Sequence, residues 1–291
     1  MTKAKIIADS ISEQGIRITT LELEFERFLL PQFNTHRQFS RSAQSSRAVP
    51  VQKMIDALQD DSNSNPLSFM KNESGMQSSE YLNDDDYFSA FRCYENAKAD
   101  AIKWAINLNT IGVHKQWANR LLEPFSTVKV VVTATEWDNF FDLRLHHAAQ
   151  PEMQVLAQAM KTALDESTPV LLDSTLWHLP YVSHDEYTGI GTTFLDLALI
   201  SAARCARVSY LNHDNSTPDI EKDLLLAQRL LADKHLSPFE HQAKPIYLPI
   251  HSTQSPICLD DSFLDGVTHI DKCGVEWSGN FKGWIQHRHL C

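Results

Sequence analysis

Between residues 16 and 25 the chain settles into strict alternation, with Leu21, Leu23 and Phe25 set against Thr20, Glu22 and Glu24. Successive strand side chains point to opposite faces, so this period predicts a strand with one wet side. A β-branched run at 128–132 predicts a second strand. Pro50 sits where a first helical turn accepts proline, so 49–58 reads as a short helix. Residues 59–86 are rich in Asp, Asn and Ser without a period, which predicts a long loop of the kind that often serves as a lid. From 87 to 108, Phe88, Phe91, Ala99, Ile102 and Ile106 recur at helical spacing and predict a long core helix. Helices are also expected over 136–144 and 152–164, with Phe140, Leu143, Met153, Leu156, Ala157 and Met160 buried. Residues 165–190 carry Pro169, Pro180 and Gly189 and read as connection; Val170–Leu172 is too short a run to assign as a strand. A helix over 219–233 is expected to be capped by Thr217, to carry Pro218 in its first turn, and to bury Leu224, Leu225, Leu230 and Leu231.

The 291 residues, 43% hydrophobic, suffice for one large domain or two modest ones. A net charge of −11 argues against gripping long nucleic acid but leaves room for a local basic pocket. No apolar run approaches the ~20 residues of a membrane span, and the amino terminus lacks the pattern of a signal peptide. The five scattered cysteines fit a reduced, cytoplasmic setting. Cys273, His287, His289 and Cys291 lack finger spacing, so they read as a polar carboxy-terminal tail and no metal is expected.

Three polar clusters carry candidate chemistry. His36, Arg37, Ser40, Ser45, Ser46 and Arg47 pack cations and hydroxyls closely. Guanidinium forks suit phosphate oxygens, but a solvated basic loop has the same composition. The stretch 235–241 places His235, Ser237, Glu240 and His241 around a Ser-Pro step; a ligand-facing turn and a helix-ending loop both satisfy that spacing. Between Asn139 and Gln154, helical spacing puts Arg144 with His147 and His146 with Gln150, which an ordinary surface helix also allows. There is no phosphate-binding Gly-rich loop, no nucleophile elbow and no cysteine in an activating setting; Gly189-Ile190-Gly191 alone is weak.

Together these stretches resemble the flavin-dependent thymidylate synthase family, whose pattern is R-H-R-x-x-S-x-N-E-x-S-x-R-Y. The segment from Thr35 to Ala48 falls on it without a gap, and Gln32 matches a glutamine shortly before it. Asn139 to Arg144 and Ala149 to Glu152 are similar to the family's carboxy-terminal helix region; Ala206 to Tyr210 and His235 to His241 are similar to its amino-terminal region. That order is permuted, with 165–200 as the join, and circular permutation preserves a fold whose old termini lie close. The tail 284–289 resembles a second, partial copy of the R-H-R region, so duplication is a rival history.

The resemblance implies an α/β, flavin-dependent thymidylate synthase-like fold, circularly permuted, in a homotetramer that shares each site among subunits. It divides the chain into 1–164, 165–200 and 201–291 within one folded domain. It implies FAD, methylenetetrahydrofolate, NADPH and a deoxypyrimidine monophosphate, with dUMP to dTMP as the default reaction. By motif match, Ser45, Ser46 and Arg47 hold the nucleotide phosphate with Gln32 nearby. His36, Arg37, Ser40, Arg144, His235, Ser237 and Glu240 surround FAD or folate, and Arg144 and Gln154 fall at catalytic positions. Thr35, Ser42, Ala43 and Ala48 depart from the pattern. Gln154 stands where many members have an arginine that stabilises the ionised uracil ring. A neutral amide pairs with a carbonyl or an amine, which opens dCMP, or a hydroxymethyl product, as alternatives. The number of altered positions leaves a non-catalytic nucleotide- or flavin-binding protein as the rival from another class.

Overall fold

The computed structural model describes residues 2–60, 67–75, 78–183, 193–208, 217, 219–246 and 264–291. Strands β1 (Lys3–Ser12) and β2 (Arg17–Glu26) form a hairpin whose turn needs Gly15, at φ +79°. With β3 (Ser40–Ala43), β4 (Thr127–Ala134) and β5 (Val170–Leu172) they make a five-stranded sheet in the order β3-β4-β2-β1-β5. The run at 170–172 is thus a strand, parallel to the end of β1; its short length hid it.

One sheet face is the expected apolar one. Leu21, Leu23 and Phe25 join Val128, Val130 and Val132 under the helix at Pro151–Asp165, which contributes Met153, Leu156, Ala157 and Met160. The opposite face is not uniformly wet. Thr20 and Thr133 are fully buried there, because the helix at Phe194–Arg207 and the segment around His178 cover that end. That helix begins inside the 165–200 segment expected as the join, and a capping box between Thr193 and Asp196 starts it.

Among the described residues the helices are, in chain order, α1 (Leu30–Phe33), α2 (Val51–Gln59), α3 (Asp84–Thr110), α4 (Lys115–Leu122), α5 (Asp138–Arg144), α6 (Pro151–Asp165), α7 (Phe194–Arg207) and α8 (Ile220–Ala232). Two differ in burial from the sequence expectation. Along α3 only Ala105 is buried, while Phe88, Phe91, Ala99 and Ile106 are exposed. The helix packs on α2 and α4 along one narrow side, so its other apolar residues face outward. Leu143 of α5 is exposed as well. In α8 the buried residues are Asp223 and Ala227, Leu225 is exposed, and Leu224, Leu230 and Leu231 are half-buried. Asp223 is buried because Arg204 and Arg207 of α7 both bond it, at 2.8 and 2.6 Å. Asp219 caps α8 by accepting from the amides of Glu221 and Lys222, so Thr217 is not the cap; Pro218 lies outside the described residues.

The carboxy-terminal segment is not a solvated tail. Strand β6 (Ala243–Pro245) is followed by the small sheet β7 (His269–Ile270), β8 (Glu276–Ser278) and β9 (Phe281–Lys282), and β10 (Trp284–Gln286) pairs antiparallel with β6. This pairing buries Trp284, Ile285, Gln286 and His287. His287 packs on the rings of Trp177 and Phe239.

Candidate active site

The loop between α1 and β3 is shaped by a residue the motif reading left aside. Arg41 donates to the Asn34 side chain at 2.7 Å and to the carbonyls of Asn34, His36 and Phe39 at 2.9–3.0 Å. Its planar fork thereby holds the loop in one shape. Phe39 turns inward onto Phe33, Trp137 and Phe140, and Arg37 and Gln38 are left exposed. His36 lies edge-on to Phe140, with ring centroids 4.8 Å apart, and accepts a bond from Arg144 Nε at 2.9 Å. Burial, with the cations of Arg144 and Arg41 nearby, pushes the His36 imidazole down to about 4. It is therefore neutral at pH 7, as an acceptor must be. Arg144 also reaches the Thr35 hydroxyl at 3.2 Å.

These groups line a cavity of about 570 Å³. Arg37, Gln38, Asn139 and Arg144 supply donors, Phe39 and Phe140 supply flat apolar surface, and Glu136 and Asp138 stand among the lining carboxylates. The first motif cluster and α5 are therefore brought together. The helical pairings of Arg144 with His147 and His146 with Gln150 do not form, because α5 ends at Arg144 and residues 145–149 turn. Gln154, in the first turns of α6, spends Nε2 on the Ala149 carbonyl at 2.6 Å. Gln32 sits in α1 with Oε1 buried and no partner among the described residues.

The 235–241 stretch meets the motif strand at a different edge. Pro238 and Phe239 are buried in a 3-10 turn over Ser237–Glu240. Ser237 Oγ lies 3.5 Å from Ser42 Oγ. Gln286, buried in β10, donates from Nε2 both to Ser40 Oγ and to the Glu240 carbonyl, each at 2.7 Å. The Glu240 carboxylate accepts from Arg288. His235 is exposed, and Ser209 and Tyr210 lie outside the described residues, as does Gly189-Ile190-Gly191.

The third motif portion points elsewhere within one chain. Ser46 is buried, donates to Glu123, and its carbonyl accepts from Asn119 at 2.7 Å. Ser45 and Arg47 are exposed in the 3-10 turn beside α4. Gln44 and Ser46 form part of the wall of a second cleft of about 650 Å³, between the sheet and α2–α3, with Tyr87, Tyr94 and Phe125 on its far side. Sequence reasoning missed Arg41, Gln286 and Arg288 as shapers of the site. Arg41 was legible only as one more cation in the motif, and the other two lie some 240 residues downstream of it.

A family model described as thymidylate synthase complementing protein matches residues 16–170, a little over half of the chain. Among curated protein sequences none matches. Similar solved structures include a UMP/dUMP methylase PolB from Streptomyces cacaoi bound with 5-Br UMP, at 16% identity and a TM-score of 0.46, covering 59% of this chain and 90% of that one. The same methylase bound with 5-Br dUMP is 14% identical with a TM-score of 0.45, covering 59% and 92%. The matched span holds the whole 35–47 motif, the sheet strands β2 to β4 and the α5 helix that lines the cavity, and by that match the chain belongs to the thymidylate synthase complementing family, the flavin-dependent thymidylate synthases.

Proposed function

We propose that this methyltransferase acts at C5 of a deoxypyrimidine monophosphate, converting dUMP to dTMP with FAD, methylenetetrahydrofolate and NADPH. The observation that carries the reading is the bond from Arg144 to a neutral His36 in the wall of a cavity also lined by Arg37 and Asn139. Two cations beside flat aromatic surface fit a dinucleotide with a planar ring and an anionic pyrophosphate, and the volume lies in the usual range for such sites. Arg37, Arg144 and His36 would hold it. Bound reduced flavin supplies the hydride, so no cysteine nucleophile is required. Burial pushes the Cys205 thiol well above its usual range, in keeping with a structural role. The residues of this chain orient the reactants and exclude water, and orientation alone can account for a large part of such a barrier.

Ser45, Ser46, Arg47 and Gln32 would take the nucleotide, and His235, Ser237 and Glu240 would border FAD or folate. Ser45 and Arg47 are exposed away from the His36 cavity, which is consistent with a site completed by a second copy. Exposed Phe88 and Trp104 of α3 and Ile111 just after it, with Trp117 and Leu121 of α4, offer apolar surface for a homotetramer. The order of the segments fits a circular permutation, since 235–241 packs on the motif strand. The second reading is a dCMP or dUMP hydroxymethylase or methylase. Gln154 favours it, because its amine is spent on Ala149 and its carbonyl oxygen is left as an acceptor for an exocyclic amine.

The test is a visible spectrum of the purified protein with added FAD, followed by labelled methylenetetrahydrofolate offered with dUMP or dCMP. Flavin binding and labelled dTMP support the first reading; label entering dCMP alone supports the second. Protein that binds no FAD and labels neither nucleotide contradicts both.

A further inference from the structure

Each of four adjacent strands contributes one hydroxyl to a line of buried polar groups beneath α7. Ser10 of β1 lies 2.9 Å from His178 Nδ1, and His178 Nε2 lies 2.8 Å from Thr20 Oγ1 of β2. Thr20 and its register partner Thr133 of β4 are 2.7 Å apart. Thr133 Oγ1 is 2.9 Å from His241 Nδ1, and His241 Nε2 is 3.0 Å from Ser42 Oγ of β3. Thr20, Thr133 and His241 are fully buried, and His178 and Ser10 nearly so. Ser42 is half-buried, at the seam between the motif strand and the Ser237–Glu240 turn.

The protons in such a line are not independent. A hydroxyl has one proton, and a neutral imidazole has one donor and one acceptor nitrogen. If both imidazoles accepted from the two threonines, no proton would lie between oxygens 2.7 Å apart. If both donated to them, one threonine proton would be buried with no acceptor in the line. Only two arrangements satisfy every link, and each gives both histidines the same tautomer. They differ at the ends. Running toward β1, the line leaves the Ser10 proton unspent, and Ser10 has no further partner among the described residues. Running toward β3, it leaves the unspent proton on Ser42, at the half-exposed end where a ligand or water can take it. An unpaired buried donor is costly, so the second direction wins.

We infer that Ser10, His178, Thr20, Thr133 and His241 are positioning residues that order their protons toward Ser42 and present its hydroxyl as a donor to an acceptor oxygen of the bound nucleotide. The ligand part rests on the proposed assignment of Ser45, Ser46 and Arg47, on the same segment, to the nucleotide; the tautomer part does not. The shared ligand chemistry is an oxygen acceptor, either a ring carbonyl or a phosphate oxygen.

The experiment is long-range ¹H–¹⁵N correlation on the full-length protein with ¹⁵N-labelled histidine. His178 and His241 are expected to be neutral and protonated at Nε2. A proton at Nδ1 of either, or opposite tautomers, overturns the inference, and this measurement needs no variant. In Thr133→Val, His241 loses the group that fixes Nδ1 and is expected to populate both tautomers, whereas Thr133→Ser is expected to restore the single one. A valine variant with an unchanged His241 also overturns it. For the ligand, dUMP is expected to shift the His241 Nε2 resonance. A shift with deoxyuridine assigns a ring carbonyl, and a shift with inorganic phosphate assigns a phosphate oxygen. No shift with dUMP that binds, as measured by calorimetry, overturns the ligand part; dUMP that does not bind at all instead counts against the proposed function and leaves the tautomer result standing.

Discussion

Mild acid is expected to destabilise this protein through two particular histidines. Burial holds His178 and His241 at about 3. In the unfolded chain each takes up its proton near the ordinary value of about 6.5. Between those values the unfolded state binds more protons than the folded one, so stability falls as pH drops. The loss begins near pH 6.5 and continues toward pH 3, at about 1.4 kcal/mol per pH unit for each histidine. At pH 5 the pair together costs about 4 kcal/mol, a large share of a typical ~5–15 kcal/mol of stability. Urea denaturation at pH 7, 6 and 5 measures this directly. His241→Gln removes one titrating group and should lower the pH slope by about 1.4 kcal/mol per unit, whatever its effect at pH 7. Equal slopes for the wild type and the variant, or a His241 resonance titrating near 6.5 in the folded protein, would refute the reasoning.

Asp223→Ala leaves Arg204 fully buried beside Arg207 without its carboxylate, and should cost roughly 3–5 kcal/mol in chemical denaturation. Gly283→Ala should cost about 1–3 kcal/mol, because the residue sits at φ +66° and an added Cβ would lie 2.3 Å from Ile16 Cδ1; an unchanged melting curve would show that β9–β10 is looser than described. Arg144→Met takes away the donor to His36 Nε2 and a nearby cation, so the His36 pKa should rise from about 4 in an NMR titration, while flavin retention should fall. Gln154→Arg should move the substrate preference toward dUMP over dCMP by restoring a cation at that position, read as the ratio of kcat/KM values.

Strands β2 and β4 and the apolar face of β2 were legible because burial enforces the period: Leu21, Leu23 and Phe25 alternate and are all fully buried. The motif cluster and Arg144 were legible through resemblance, and they meet. The outward face of α3 was not, since helical spacing of Phe88 and Ile106 carries no information on what the helix packs against. Short β5 gave too few residues for a period, and its parallel pairing with β1 is a purely tertiary fact. No local pattern marked Asp223 for burial, and only the arrival of Arg204 and Arg207 makes its burial tolerable. The hydroxyl line and Gln286 join residues more than a hundred positions apart, and no local pattern marks them.

The central claim is that the His36–Arg144 cavity serves flavin-dependent one-carbon transfer. Its most direct test is single-turnover conversion of dUMP by FAD-loaded protein with labelled methylenetetrahydrofolate and NADPH, run beside Arg144→Met. The account predicts labelled dTMP from the wild type and a loss of at least about tenfold in the variant, the equivalent of one charge-assisted hydrogen bond. Undiminished turnover in Arg144→Met, or flavin-loaded wild-type protein that transfers label to no pyrimidine monophosphate, would contradict it.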